Sequence, residues 1–335
     1  MPLADPTRCP GCGAPRSAGV ECPRCGIIYA RARPRVAPPA PTPVPAILDS
    51  TPQVPGAVVG GPGDARGLIS PDQAPAVWAG DVEDARSELR IRTWAPPAAL
   101  LLAWLLVASG AGHALVRTFL TMWVHELGHT LAAWFAGYGA FPGPWRTPVS
   151  STRLVLVVVL LAAGLGTLVW WGWRTKRRWA LAAGAAGLAA QLVCTLLPAR
   201  AAQALFTFGG DAGAMVLGSA LFATIWSDPQ GPLGRGSLRW GFLAIGACAL
   251  VDPIDTWVRA WGDAGQIPLG EIEGVGLSDA SKLWKVHGWA LSEISHRYVA
   301  VGLVCLAVLG VAYWLAVQGA RARLRATEAD PERPA

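Results

Sequence analysis

Residues 118–138 read TFLTMWVHELGHTLAAWFAGY, and the rest of the chain is read outward from this stretch. It is apolar enough for a membrane helix, yet His125, Glu126 and His129 sit at its middle. On a helix the two histidines stand one turn apart on one face, so both imidazoles can reach a single metal ion. Glu126 projects beside them, placed to take a proton from a water at that ion. An ionisable group at bilayer depth costs roughly 3 kcal/mol by insertion scales, so such groups are seldom there idly. A chance His-Glu-x-x-His and satisfied core histidines are the competing explanations, and the apolar surroundings weigh against both.

Composition bounds the class. Of 335 residues, 53% are hydrophobic and only 15% charged, with a mean hydropathy of +0.37. Most of the apolar sequence lies after residue 94, in runs long enough to cross a hydrocarbon core of about 30 Å. The expected fold class is an all-α polytopic membrane protein of about six or seven transmembrane helices. The opening MPLADPTRCPGCG lacks the basic-then-apolar pattern of a secretory signal, so the first span is expected to direct insertion. A net charge of +6 is modest, and the arginines fall in short loops where they set topology; no nucleic-acid partner is expected.

Residues 1–33 read as a zinc ribbon. CPGCG and CPRCG place Cys9, Cys12, Cys22 and Cys25 as two knuckles with nine residues between the inner cysteines. Four thiolates close a tetrahedral structural zinc site with no open position, and metal binding supplies most of the folding energy of so small a unit. Two disulfides are the alternative. The ribbon suits docking to a protein partner, whose identity the residues do not give. Residues 34–93 are a linker with a short charged segment at 81–92; eleven prolines in 34–76 make an extended, disordered tether. Cys194, Cys248 and Cys305 lie singly in apolar runs and read as small buried hydrophobes.

The transmembrane domain is expected over 94–320, with a polar loop at 253–296 and a basic, disordered tail at 321–335. Spans are expected near 95–111, 115–136, 154–173, 179–198, 211–227, 238–252 and 297–318. Tryptophans at many of these ends, among them Trp94, Trp170, Trp179 and Trp314, suit an interfacial belt. Gly184, Gly187, Gly209, Gly213 and Gly218 allow helices to approach closely. Residues 137–153, with three prolines, cannot continue a helix and form a loop or short hairpin beside the histidines. A reduced ribbon puts the N-terminus in the cytoplasm, whereas the basic loop at 174–178 and the tail give the opposite frame, so with seven full spans the two conflict.

Two histidines leave a catalytic zinc one protein ligand short. Asp211 is the leading candidate: it opens an apolar span, and Gly209, Gly210 and Gly213 would let its helix sit against the histidine helix. Two intervening spans return the chain to the same leaflet. An N-cap role for Asp211 is the alternative. Asp252, Asp255, Asp279, His287 and His296 are further candidates that read more simply as polar loop residues, and His113 shows no obvious partner.

A membrane-embedded HELGH followed two spans later by an aspartate in a glycine-rich helix start resembles the site-2 protease group of intramembrane zinc metalloproteases, the M50-like peptidases. The resemblance covers roughly 114–227. It implies His125, His129 and Asp211 as ligands of a catalytic zinc, Glu126 as general base, and a transmembrane protein as substrate, cleaved within the lipid bilayer. The order Gly-Gly-Asp-Ala departs from the family's Asp-Gly. The later segments LVDPIDTWV and GLSDASKL look like a divergent branch of M50-like proteins. A non-proteolytic zinc-binding scaffold or sensor and a metal or solute transporter are the readings from other classes; Glu126 argues against the first, and the scarcity of carboxylates across different spans against the second.

Overall fold

A computed structural model describes residues 79–329, apart from 230, 235 and 273–275, together with Pro15. The ribbon cysteines and the proline-rich tether lie outside the described residues.

Helix α1 (Ala79–Ala108) runs through the expected boundary at residue 94, so the charged segment forms the first turns of the span itself. Pro96 and Pro97 lie inside this helix. A proline offers no N–H to the carbonyl four residues earlier. For Pro97 that carbonyl belongs to Thr93, and it accepts instead from the Tyr313 hydroxyl at 3.1 Å. A short α2 (Gly110–Leu115) follows, with the Ser109 side chain accepting from the Gly112 N–H. A π-helical turn, Val116–Thr121, then leads into α3 (Met122–Phe135), the histidine helix. The helix expected over 115–136 thus runs on without a gap from Gly110 to Phe135 but widens in this π-helical turn, and α3 itself has 14 residues, roughly 21 Å of rise.

The segment after α3 folds as a hairpin of β1 (Tyr138–Ala140) and β2 (Val149–Arg153), with Tyr138 opposite Arg153 and Ala140 opposite Val149. Its prolines fall between the strands, where a missing N–H breaks no ladder. Helices α4 (Val155–Arg174) and α5 (Arg178–Leu196) form an apolar hairpin. The turn between them is a Schellman motif: Arg177 N–H donates to Gly172 O at 2.9 Å and Lys176 N–H to Trp173 O at 3.3 Å, with Lys176 at φ 59°. Helix α6 (Ala199–Ala223) begins directly after Pro198, well before residue 211. Then come α7 (Leu238–Gly262), a two-stranded pair β3 (Glu271–Ile272) and β4 (Gly276–Leu277), the short α8 (Asp279–Lys285), and α9 (Leu291–Ala329). The region expected as a polar loop thus contains the end of α7, a tight strand pair and a helix, and α9 continues into the expected tail.

Six helices among the described residues are long and apolar enough to cross a membrane: Val82–Ala108, Val155–Arg174, Arg178–Leu196, Ala199–Trp226, Leu238–Gly262 and Leu291–Ala329. This is the pattern of a multi-pass membrane protein. Large apolar side chains such as Leu156, Leu160, Leu303 and Val308 stand exposed on α4 and α9, as lipid-facing positions require.

Helix α6 is the packing centre, lying against α3, α7 and α9. Its core side includes Met215 and Phe222, which belong to one buried apolar core with Leu250 and Trp257 of α7 and Tyr298 of α9. Against α3 the contact is backbone on backbone: a Cβ added at Gly128 would come within 2.9 Å of Gly213 Cα, and Gly209 faces the same crossing. Only glycine on both faces allows helix axes so close. That crossing sets the depth at which α6 meets the histidines.

Candidate metal centre

The α3 helix delivers His125, Glu126 and His129 as buried side chains, the histidines facing α6 and α8 and Glu126 the loop between β1 and β2. The histidine tautomers follow from their partners. His129 Nδ1 lies 2.6 Å from the Phe206 carbonyl oxygen, and His125 Nδ1 lies 2.8 Å from Asp211 Oδ1. A carbonyl and a carboxylate only accept, so both Nδ1 atoms carry the proton. The two Nε2 lone pairs are then left facing a common point.

Asp279, the first residue of α8, brings Oδ2 to that point: 3.0 Å from His129 Nε2 and 3.3 Å from His125 Nε2, with the two Nε2 atoms 3.1 Å apart. In a tetrahedral zinc site with bonds of about 2.0–2.1 Å, neighbouring ligand atoms lie about 3.3 Å from each other. The triangle therefore has the edge lengths of three tetrahedral ligands. Three electron-rich atoms held this close require a cation among them, either a proton that makes an imidazolium or a metal ion. Asp279 stands outside the spanning helices. Burial pushes its carboxyl up, but its bonds with the His125 and His129 rings outweigh this and hold it well below the usual carboxylate range.

The space is shaped from below by Gly210 of α6. A Cβ there would lie 2.5 Å from both His125 Cε1 and His129 Nε2. Beside the triangle, Glu126 Oε2 accepts a hydrogen bond of 2.6 Å from the Thr147 hydroxyl, carried on the loop between β1 and β2. A cavity of about 680 Å³ opens onto His125, Glu126, His129 and Asp279, with Trp145 and Leu269 among its apolar walls.

Asp211 is buried mid-helix in α6, not at an N-cap, and lies behind His125 instead of in the triangle. Its Oδ2 accepts from Trp257 Nε1 at 2.8 Å, and its Oδ1 also receives Arg117 Nη2 at 3.3 Å. The other sequence candidates scatter. Asp252 is wholly buried and receives Arg117 Nη1 at 3.1 Å, and its second oxygen lies 3.0 Å from His113 Nε2, which gives His113 a partner after all. Asp255 pairs with Arg259, His296 lies edge-on to Trp261, and His287 sits near Arg200. Arg117 and Thr147 complete the site without belonging to the HELGH motif. A lone arginine in the apolar run leading into the histidine helix was the available signal for the first; nothing local marked the second.

Among the described residues, Arg117 pairs with both Asp211 and Asp252, and Lys282 Nζ lies 3.1 Å from Asp279. No family model, no curated protein and no solved structure matches this chain.

Proposed function

We propose that this protein is an intramembrane zinc metalloprotease resembling the site-2 protease group, hydrolysing peptide bonds of membrane-embedded substrates. What supports the reading is the convergence of His125 Nε2, His129 Nε2 and Asp279 Oδ2, with both Nδ1 protons committed elsewhere and Glu126 alongside. Zinc held by these three side chains would leave a fourth position open, acidify a water and polarise a scissile carbonyl.

The residues of the chain do the rest. Glu126 takes the proton of the attacking water and returns it to the leaving amine, while Thr147 orients the carboxylate through its hydroxyl. The glycine crossing of α3 and α6 fixes the imidazoles so that little reorganisation accompanies reaction. A substrate helix must unwind before its carbonyl can be attacked, and the cavity beside the β1–β2 hairpin offers room for an extended segment. In this reading the ribbon holds a second, structural zinc through Cys9, Cys12, Cys22 and Cys25 and faces the cytoplasm.

The test compares membranes carrying wild type or Glu126→Gln, reading new protein termini by mass spectrometry and zinc content on purified protein. Termini that appear only with wild type, at equal zinc content, support the proposal. Identical termini in both samples would remove the protease reading.

A further inference from the structure

Asp211 engages both carboxylate oxygens away from the ligand triangle: Oδ1 meets His125 Nδ1 at 2.8 Å and Arg117 Nη2 at 3.3 Å, and Oδ2 meets Trp257 Nε1 at 2.8 Å. Arg117 in turn is gripped from its other nitrogen by the wholly buried Asp252. Three elements supply the line: the π-helical turn carries Arg117, α6 carries Asp211, and α7 carries both Asp252 and Trp257. Wide turns of this kind recur at functional sites, because the extra backbone residue re-aims a side chain. Here the turn aims a guanidinium across two buried aspartates.

We infer that Asp211 is the positioning residue of the metal centre and not one of its ligands, with Arg117, fixed by Asp252, holding it against His125. The inference rests on the metal reading above. Its physical content is specific. A carboxylate on Nδ1–H locks the ring plane, forces the tautomer that presents Nε2, and makes the imidazole a stronger donor. Arg117 Nη2 meets the same Asp211 oxygen that faces His125 Nδ1, which fixes where that carboxylate stands against the ring. Removing such an outer partner weakens metal binding by about 10–100-fold without deleting a ligand. Removing Asp279, by contrast, deletes one of the three converging ligand atoms.

The experiment measures Co²⁺ and Zn²⁺ binding to detergent-purified full-length protein, taking as the site's metal what is bound beyond a His125→Ala/His129→Ala double variant. Asp211→Asn, Asp211→Ala, Asp252→Asn and Asp279→Ala are compared with wild type, and the melting temperature of each variant checks that it is folded. The expected result is a 10–100-fold weaker affinity in both Asp211 variants at unchanged saturating stoichiometry, with the wild-type visible Co²⁺ spectrum at saturation. Asp252→Asn shifts affinity in the same direction by less, and Asp279→Ala holds no metal at the site. The Co²⁺ spectrum separates positioning from folding, since a misfolded centre would not reproduce it. Unchanged affinity in folded Asp211 variants overturns the inference, as does loss of metal in Asp211→Asn with retention in Asp279→Ala. Wild type binding no more metal than the double histidine variant overturns the metal reading along with it.

Discussion

Replacing Gly210 with alanine sets one methyl group against both imidazoles of the centre. The new Cβ would lie 2.5 Å from His125 Cε1, 2.5 Å from His129 Nε2 and 2.7 Å from His125 Nε2. Ordinary carbon contacts need about 3.5 Å, so the rings or the helix must give way by roughly 1 Å. The helix cannot retreat easily, because its other side is packed against α7, where a Cβ at Gly218 would already lie 3.0 Å from Gly246 O and Leu250 N. The rings must move, and a metal site tolerates only about 0.2 Å in its ligand distances. Overpacking costs about 1–3 kcal/mol, offset by up to about 1 kcal/mol of helix propensity gained over glycine. Gly210→Ala should therefore remain folded, with a modest fall in melting temperature, and lose the metal of the membrane site. Gly166→Ala, in α4 with nothing within 4 Å of the added Cβ, is the matched control and should keep both stability and metal. The assay is equilibrium dialysis against zinc followed by elemental analysis, with the double histidine variant as baseline. A Gly210→Ala protein that binds zinc as tightly as wild type would refute the placement of the ligand triangle over α6.

Further outcomes follow from other contacts. Thr147→Val removes the 2.6 Å hydrogen bond to Glu126 Oε2; cleavage should fall roughly 10–100-fold, mainly in kcat, with zinc content unchanged, and an unaffected kcat would show that Thr147 does not orient the base. His287 lies outside the spanning helices, and burial together with Arg200 lowers its pKa below the ordinary 6.5. The unfolded chain then takes up a proton at higher pH than the folded one, so this stabilisation is complete above about pH 6.5 and is lost as pH falls from there through the folded value. His287→Gln should flatten that part of the curve of melting temperature against pH, and an unaltered curve would count against the assignment. Lys176 occupies a left-handed position at φ 59° in the turn after α4. Lys176→Gly should raise stability by about 1 kcal/mol or less, since the strain relieved is partly offset by the freedom glycine gains on unfolding, and a lower melting temperature would contradict this.

The sequence by itself determined what is local or periodic. Runs of apolar residues must be helices in lipid, because a backbone without water has to satisfy its own hydrogen bonds, and the long apolar helices appear where the runs lie. His125 and His129 share a face because one turn separates them, which no packing can alter. The glycines at 209, 210 and 213 marked where a helix could approach closely, and α6 does so against Gly128. Tertiary structure decided which carboxylate faces the histidines. Asp211 and Asp279 are both acidic residues distant in sequence from the histidine helix, and composition does not distinguish them. The direction of approach does: α6 crosses behind His125 and presents Asp211 to Nδ1, whereas α8 comes in from the cavity side and presents Asp279 to Nε2 across 150 residues of sequence. The pairing of Arg117 with two aspartates and of Thr147 with Glu126 likewise depends on helix crossings and a hairpin loop. Spacing along one helix fixes the angle between its own side chains, but the meeting of groups on different elements is set by how those elements pack.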